Sequence, residues 1–278
     1  MSRSLTRASA LVLAAITALA LAVPAFAQGA DGQAQVRVAH LSSDAPNVDV
    51  YANGEPVAAL TNVPYGTVSG YLPLPAGTQQ VTVYATGDTS APVIDTPVEL
   101  AAGGTYTVAA VGLVSDASLT AQVYEDDVSA PAAGNGKVRI VHASPDAGPV
   151  DVATADGGTY LVSGLSYPSA SAYAEVPAGT YDVNVLAAGT DTVAISAPGT
   201  SVADGGVYTA FATGTASAGN LGVILVQDNA AAGVETLAST GGISLAWVAA
   251  ALATAVVVLS SGAAAGAYAL RRAGAARD

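Results

Sequence analysis

The 278-residue chain contains no cysteine, so it can form no disulfide and offers no thiol nucleophile. Histidine is almost as scarce, with only His40 and His142, and so any Ser-His-Asp arrangement would have to be built around one of those two rings. Lysine occurs once, as Lys137, and tryptophan once, as Trp247. Positive charge is the largest deficit: 8 basic residues face 21 acidic ones. A surface of that sign repels phosphate backbones and excludes nucleic acid as a partner. Between residues 34 and 229 no capped segment with a 3.6-residue apolar stripe occurs, which argues against helices there.

The apolar runs stand at the two ends. Arg3 and Arg7 precede the apolar stretch Leu11 to Val23, and Pro24-Ala25-Phe26-Ala27 supplies an Ala-x-Ala site. Residues 1–27 therefore read as a secretory signal peptide cleaved after Ala27. At the other end, Leu237-Ala238-Ser239-Thr240-Gly241 is followed by an uncharged apolar run over 243–270, long enough to cross a bilayer as a helix, and by the basic tail 271–278 with Arg271, Arg272 and Arg277. Trp247, near the start of that run, suits a membrane interface. This order of pentapeptide, apolar stop and positive tail resembles the cell-wall sorting signal of Gram-positive surface proteins, in the Leu-Ala-x-Thr-Gly form typical of high-GC species. The resemblance implies that a sortase cleaves after Thr240 and passes it to a peptidoglycan precursor, the membrane segment serving only to hold the precursor. The alternative is an uncleaved single-pass membrane protein in which residues 237–241 are a plain linker. Export to the cell wall or cell surface is expected either way.

Residues 28–240 carry 20 acids against Arg37, Lys137 and Arg139, a net charge of −17. This body is a duplication. Val36-Arg37-Val38-Ala39-His40-Leu41-Ser42-Ser43-Asp44-Ala45 matches Val138-Arg139-Ile140-Val141-His142-Ala143-Ser144-Pro145-Asp146-Ala147 at an offset of 102. The same offset pairs Val48-Asp49-Val50 with Val150-Asp151-Val152, Tyr71 with Tyr173, Pro75-Ala76-Gly77 with Pro177-Ala178-Gly179, and Tyr106-Thr107 with Tyr208-Thr209. A constant offset of that size identifies two domains, 34–127 and 136–229, joined by a linker over 128–135 and followed by a spacer with the sorting motif over 230–242.

Within each unit apolar residues alternate, as in Val36, Val38 and His40 or Val81-Thr82-Val83-Tyr84, and turn residues recur every 8–12 positions. Asn53-Gly54 suits a two-residue hairpin because both positions tolerate φ > 0. About seven short strands per unit predict an all-β chain of two tandem β-sandwich domains, immunoglobulin-like or prealbumin-like, apart from the terminal segments. The opening Val-Arg-x-x-His-x-Ser-x-Asp-Ala followed by Val-Asp-Val resembles the bacterial family known as domain of unknown function 4397. That resemblance implies extracellular β-sandwiches, often in tandem on surface-anchored proteins, and supplies no activity.

The repeated polar residues Arg37, His40, Asp44 and Asp49, with Arg139, His142, Asp146 and Asp151, are the candidates for chemistry. One imidazole with two carboxylates could hold a divalent cation. The structural reading, which is preferred, makes His40 a hydrogen-bonded core residue, Asp44 an Asx-turn residue and Asp49 a cross-strand partner of Arg37. No catalytic residue, metal site or cofactor is expected. The only lysine, Lys137, stands at the junction of the two units, so neither core is expected to hold a Lys–Asn isopeptide bond. The expected role is a cell-wall-anchored protein with a structural or binding purpose. One alternative is a short-range adhesin or glycan-binding module using Tyr51, Tyr84 and Tyr124; another is a carboxylate-dependent hydrolase. The expected partners are sortase, the peptidoglycan precursor and, before processing, the membrane.

Overall fold

The computed structural model describes residues 32–229 and 235–236. The segments expected to be a signal peptide (1–27) and a sorting motif (237–241), the apolar run 243–270 and the basic tail 271–278 lie outside the described residues, among which no helix is long and apolar enough to cross a membrane. The described chain is all-β, with one 3-10 turn.

The first unit contains β1 (Gln33–His40), β2 (Val48–Ala52), β3 (Glu55–Pro56), β4 (Thr67–Val68), β5 (Leu72–Pro75), β6 (Gly77–Ala85), β7 (Asp88–Leu100), β8 (Thr105–Val111) and β9 (Thr120–Glu125). The second contains β10 (Asn135–His142), β11 (Val150–Thr154), β12 (Tyr160–Leu165), β13 (Ala174–Pro177), β14 (Gly179–Ala187), β15 (Val193–Val202), β16 (Val207–Thr213) and β17 (Gly222–Gln227). Each unit builds two sheets. In the first they run β4/β5-β1-β8-β9 and β3-β2-β6-β7, in the second β13-β10-β16-β17 and β12-β11-β14-β15. The short β18 (Glu235–Thr236), within the expected spacer, pairs antiparallel with β4 and returns the chain to the first unit. At the β2–β3 hairpin, Asn53 (φ 52°) and Gly54 (φ 84°) both take the left-handed conformation that their sequence favours.

The central pair of each unit is parallel: β1 with β8, and β10 with β16. Central parallel strands read as nearly continuous apolar runs because both faces are buried. From Tyr106 to Val111 every residue of β8 is buried, where simple alternation predicts one wet face. On one face Val36 and Val108 meet Val50, Val81, Val83, Ile94 and Leu100 of the other sheet of their unit. On the opposite face Ala39, Leu41, Val111 and Tyr124 pack against Val141, Ala143, Phe211, Ile224 and Val226. The two parallel-centred sheets thus stand back to back, and the four sheets form one stack. Alternation gave no hint of this second buried layer, because Arg37 and Arg139 lie within it.

Candidate functional site

The stack brings Arg37 and Arg139 together. Each rises from its unit's first strand on the back face, 1% and 2% exposed respectively. Arg37 Nε donates to Thr107 Oγ1 at 2.8 Å, and Thr107 Oγ1 donates to Asp126 Oδ2 at 2.6 Å. The Arg37 Nη1 crosses to the second unit, 2.8 Å from Asp228 Oδ1. Reciprocally, Arg139 Nη2 lies 2.5 Å from Asp126 Oδ1 and donates to Thr209 Oγ1 at 2.9 Å. Tyr71 donates to Asp126 and Tyr173 to Asp228, both at 2.7 Å. Each guanidinium also sits over a tyrosine ring, Arg37 at 5.0 Å from the centre of Tyr71 and Arg139 at 4.7 Å from that of Tyr173.

Two arginines and two aspartates balance one another without net charge, which is what makes burial of four ions tolerable. Burial works against the Arg37 charge, but Asp228 and Asp126 outweigh it and raise its pKa. Burial likewise pushes the Tyr71 and Tyr173 hydroxyls up, keeping them protonated as donors. The expected Arg37–Asp49 pair does not form. The true partners, Asp126 and Asp228, are themselves related by the offset of 102, and so are Thr107 and Thr209; that extension of the repeat was the available signal.

The histidines and the remaining carboxylates act elsewhere, as staples. His40 Nε2 is 3.1 Å from the Pro46 carbonyl, and His142 Nε2 is 3.1 and 3.0 Å from those of Ala147 and Gly148. These partners are acceptors, so Nε2 carries the proton in each ring. Burial depresses the His40 pKa, opposed in part by the Pro46 carbonyl. Each ring meets a tyrosine edge, His40 with Tyr65 and His142 with Tyr167.

Asp44 makes no local Asx turn. It reaches across to receive the Val114 and Ser115 amides, both at 2.9 Å, and Asp146 receives those of Ala216 and Ser217 at 2.7 and 2.9 Å. Desolvation resists ionisation of Asp44, but these amides prevail and hold its pKa below the ordinary carboxylate value. The clamped loop begins at Gly112 (φ 93°), where a Cβ would lie 2.4 Å from the Ser118 carbonyl, so only glycine fits. Asp49 accepts from the Asn62 amide (2.7 Å) and the Thr86 hydroxyl (3.0 Å), and Asp151 from the Gly164 and Gly189 amides (2.7 and 2.9 Å). These amide donors lower the pKa of Asp49 and Asp151. Among the described residues no three metal-ligating side chains converge.

Lys137 is also occupied: its Nζ binds Asp127 Oδ2 at 2.8 Å and Ser129 Oγ at 3.0 Å. The Lys137 and Ser129 hydrogen bonds bring the Asp127 pKa down to about 2. Of the tyrosines named for a binding platform, Tyr51 and Tyr84 stack edge to face at 5.1 Å, whereas Tyr124 is buried between the units.

Three solved structures show how far similarity to known folds extends. The C-terminal domain of AlgF from P. aeruginosa is 21% identical, over 34% of this chain and 98% of that domain, at a TM-score of 0.28. The Bacillus anthracis TIE protein is 10% identical, over 66% of this chain and 34% of that one, at a TM-score of 0.21. A leucine-rich repeat protein from Bacteroides thetaiotaomicron is 16% identical, over 64% of this chain and 25% of that one, at a TM-score of 0.17. No curated protein matches the chain. The family match is of another order, since it recurs twice and spans most of the sequence, over 34–153 and 153–258: the chain belongs to the family described as domain of unknown function, DUF4397.

Proposed function

We propose that this protein is an exported, wall-anchored surface protein whose ectodomain is a rigid acidic module with a structural or binding role and no catalysis of its own. The observation that carries this reading is the use made of the repeated polar residues. Arg37, Arg139, Asp126 and Asp228 tie the units together, while His40, Asp44, Asp49 and their copies tie loops to strands. A general acid, a nucleophile or a metal ligand needs a group free to meet substrate. In this reading the paired sandwiches are immunoglobulin-like or prealbumin-like, and residues 237–241 are the sortase substrate that transfers Thr240 to peptidoglycan. The pairing of β18 with β4, just before that motif, keeps the stack close to its attachment point. The half-buried Tyr51–Tyr84 pair favours, as a second reading, a short-range glycan contact on the first unit's outer sheet.

Cell fractionation tests the anchoring. Thr240→Ala should shift the protein from the muramidase-released wall fraction to the detergent-extracted membrane fraction. Native protein found wholly in detergent extracts, with residues from Gly241 onward still attached, would leave a simple membrane anchor.

A further inference from the structure

The interior of the second unit holds a cavity of about 290 Å³, while the equivalent space in the first unit is about 30 Å³. Its walls come from both sheets, with Ile140 and Ala210 on one side and Val152, Val183 and Val185 on the other. An apolar cavity of roughly 150 Å³ already stays dry and accepts a benzene-sized guest. Packed sheets stand about 10 Å apart, so the space is a slot one side-chain layer thick. A slot of that shape suits an extended chain better than a fused ring system.

Exposure gives the slot a direction. Val152, Val185, Val202 and Ala212 are at most 4% exposed and form the closed part. Thr159 and Pro177 are exposed and Leu161 and Tyr181 half-buried, so the mouth lies between the β11–β12 hairpin and the β13–β14 turn. Three of the four lining hydroxyls are already engaged: Tyr181 donates to the Pro177 carbonyl, Thr154 to Asp156 and Thr200 to the Ala197 carbonyl, which leaves the exposed Thr159 hydroxyl at the rim to meet an uncharged polar head. No cation lines the cavity. The two basic residues of this unit are committed elsewhere, Lys137 to Asp127 and Arg139 to Asp126. Asp156 and Asp182, beside the mouth residues in sequence, would repel an anionic head.

We infer that the second unit binds an uncharged, unbranched aliphatic chain, such as that of a fatty alcohol or neutral lipid ester, inserted tail-first between its sheets. The inference does not rest on how the protein is anchored. It is tested on the full-length protein in cell envelopes with a photoreactive, uncharged decanol probe, the adducts being located by peptide mass spectrometry. Adducts should concentrate on segments carrying Leu161, Val183 and Leu225, and unlabelled decanol should remove them while decanoate at neutral pH does not. Ala210→Phe, which fills the slot, should lower labelling at least tenfold; Leu161→Trp, which closes the mouth from a half-exposed position, should do the same if the first variant fails to fold. Equal labelling of both units, or labelling indifferent to these substitutions, would overturn the site. Equal competition by decanoate would overturn the uncharged ligand.

Discussion

The two units share strand order and staples but differ in their interiors, and the difference separates what the duplication preserved from what it released. At the back-to-back faces the equivalent residues are kept: Arg37 and Arg139, Thr107 and Thr209, Asp126 and Asp228, Tyr71 and Tyr173. Each partner of a buried ion must be present or its counterion is stranded, so these positions tolerate little change. Inside the sandwiches no such coupling holds. Leu72, Leu74, Leu100 and Val108 of the first unit are answered by Ala174, Val176, Val202 and Ala210. The 3-10 turn Ala58–Leu60 drives Leu60 into the first core, 4% exposed, whereas the matching segment of the second unit runs on as the edge strand β12. Bulkier residues such as Leu161 and Leu225 do not close the gap, because they stand at its half-exposed margin.

The largest effect is expected at the shared interface. Asp126→Ala removes the acceptor for Arg139, Thr107 and Tyr71 at once and should cost about 3–5 kcal/mol, the range for stranding a buried charge. Urea unfolding would read this as a lower midpoint. Replacing both arginines and both aspartates with apolar residues of similar volume should cost much less, and an equal loss would show that the ions stabilise beyond mutual neutralisation.

A core exchange gives the next largest effect. Leu60→Ala in the filled unit should destabilise by about 2–5 kcal/mol, and Val108→Ala by less. The reverse change, Ala210→Val in the hollow unit, should be neutral or stabilise by about 1 kcal/mol, since its added methyl groups enter empty space. Thermal melting of the three variants checks the signs, and a destabilising Ala210→Val would mean that the cavity wall cannot accept volume.

The smallest effect is in pH dependence. The pKa of His40 falls below its ordinary 6.5 on folding, so the unfolded chain takes up the proton first. Its contribution is complete above pH 6.5 and declines as pH drops from there toward the folded value. Asp44, Asp49 and Asp151 have depressed pKa values, so theirs is present above about pH 3.8 and lost below it. Melting temperature should therefore step down slightly below pH 6.5 and again below pH 3.8. His40→Gln, which retains a donor toward Pro46, should abolish only the first step.

Strands, the Asn53-Gly54 hairpin and the duplication were legible in the chain because each leaves a local or periodic mark: alternation, left-handed turn residues, a fixed offset. Family membership was legible for the same reason, through Val-Arg-x-x-His-x-Ser-x-Asp-Ala and Val-Asp-Val. The burial of both faces of β8 was partly written in Tyr106-Thr107-Val108-Ala109-Ala110-Val111, where no charge interrupts the run. Which carboxylate meets which arginine was not, because Arg37 and Asp228 are far apart in sequence and meet only when two sheets stack back to back. Nor was the cavity, since an empty volume is the sum of small differences at Ala174, Val176, Val202 and Ala210 brought together from three strands. Local chemistry determined the elements and their repetition; long-range packing alone decided which charges are neutralised and where space is left.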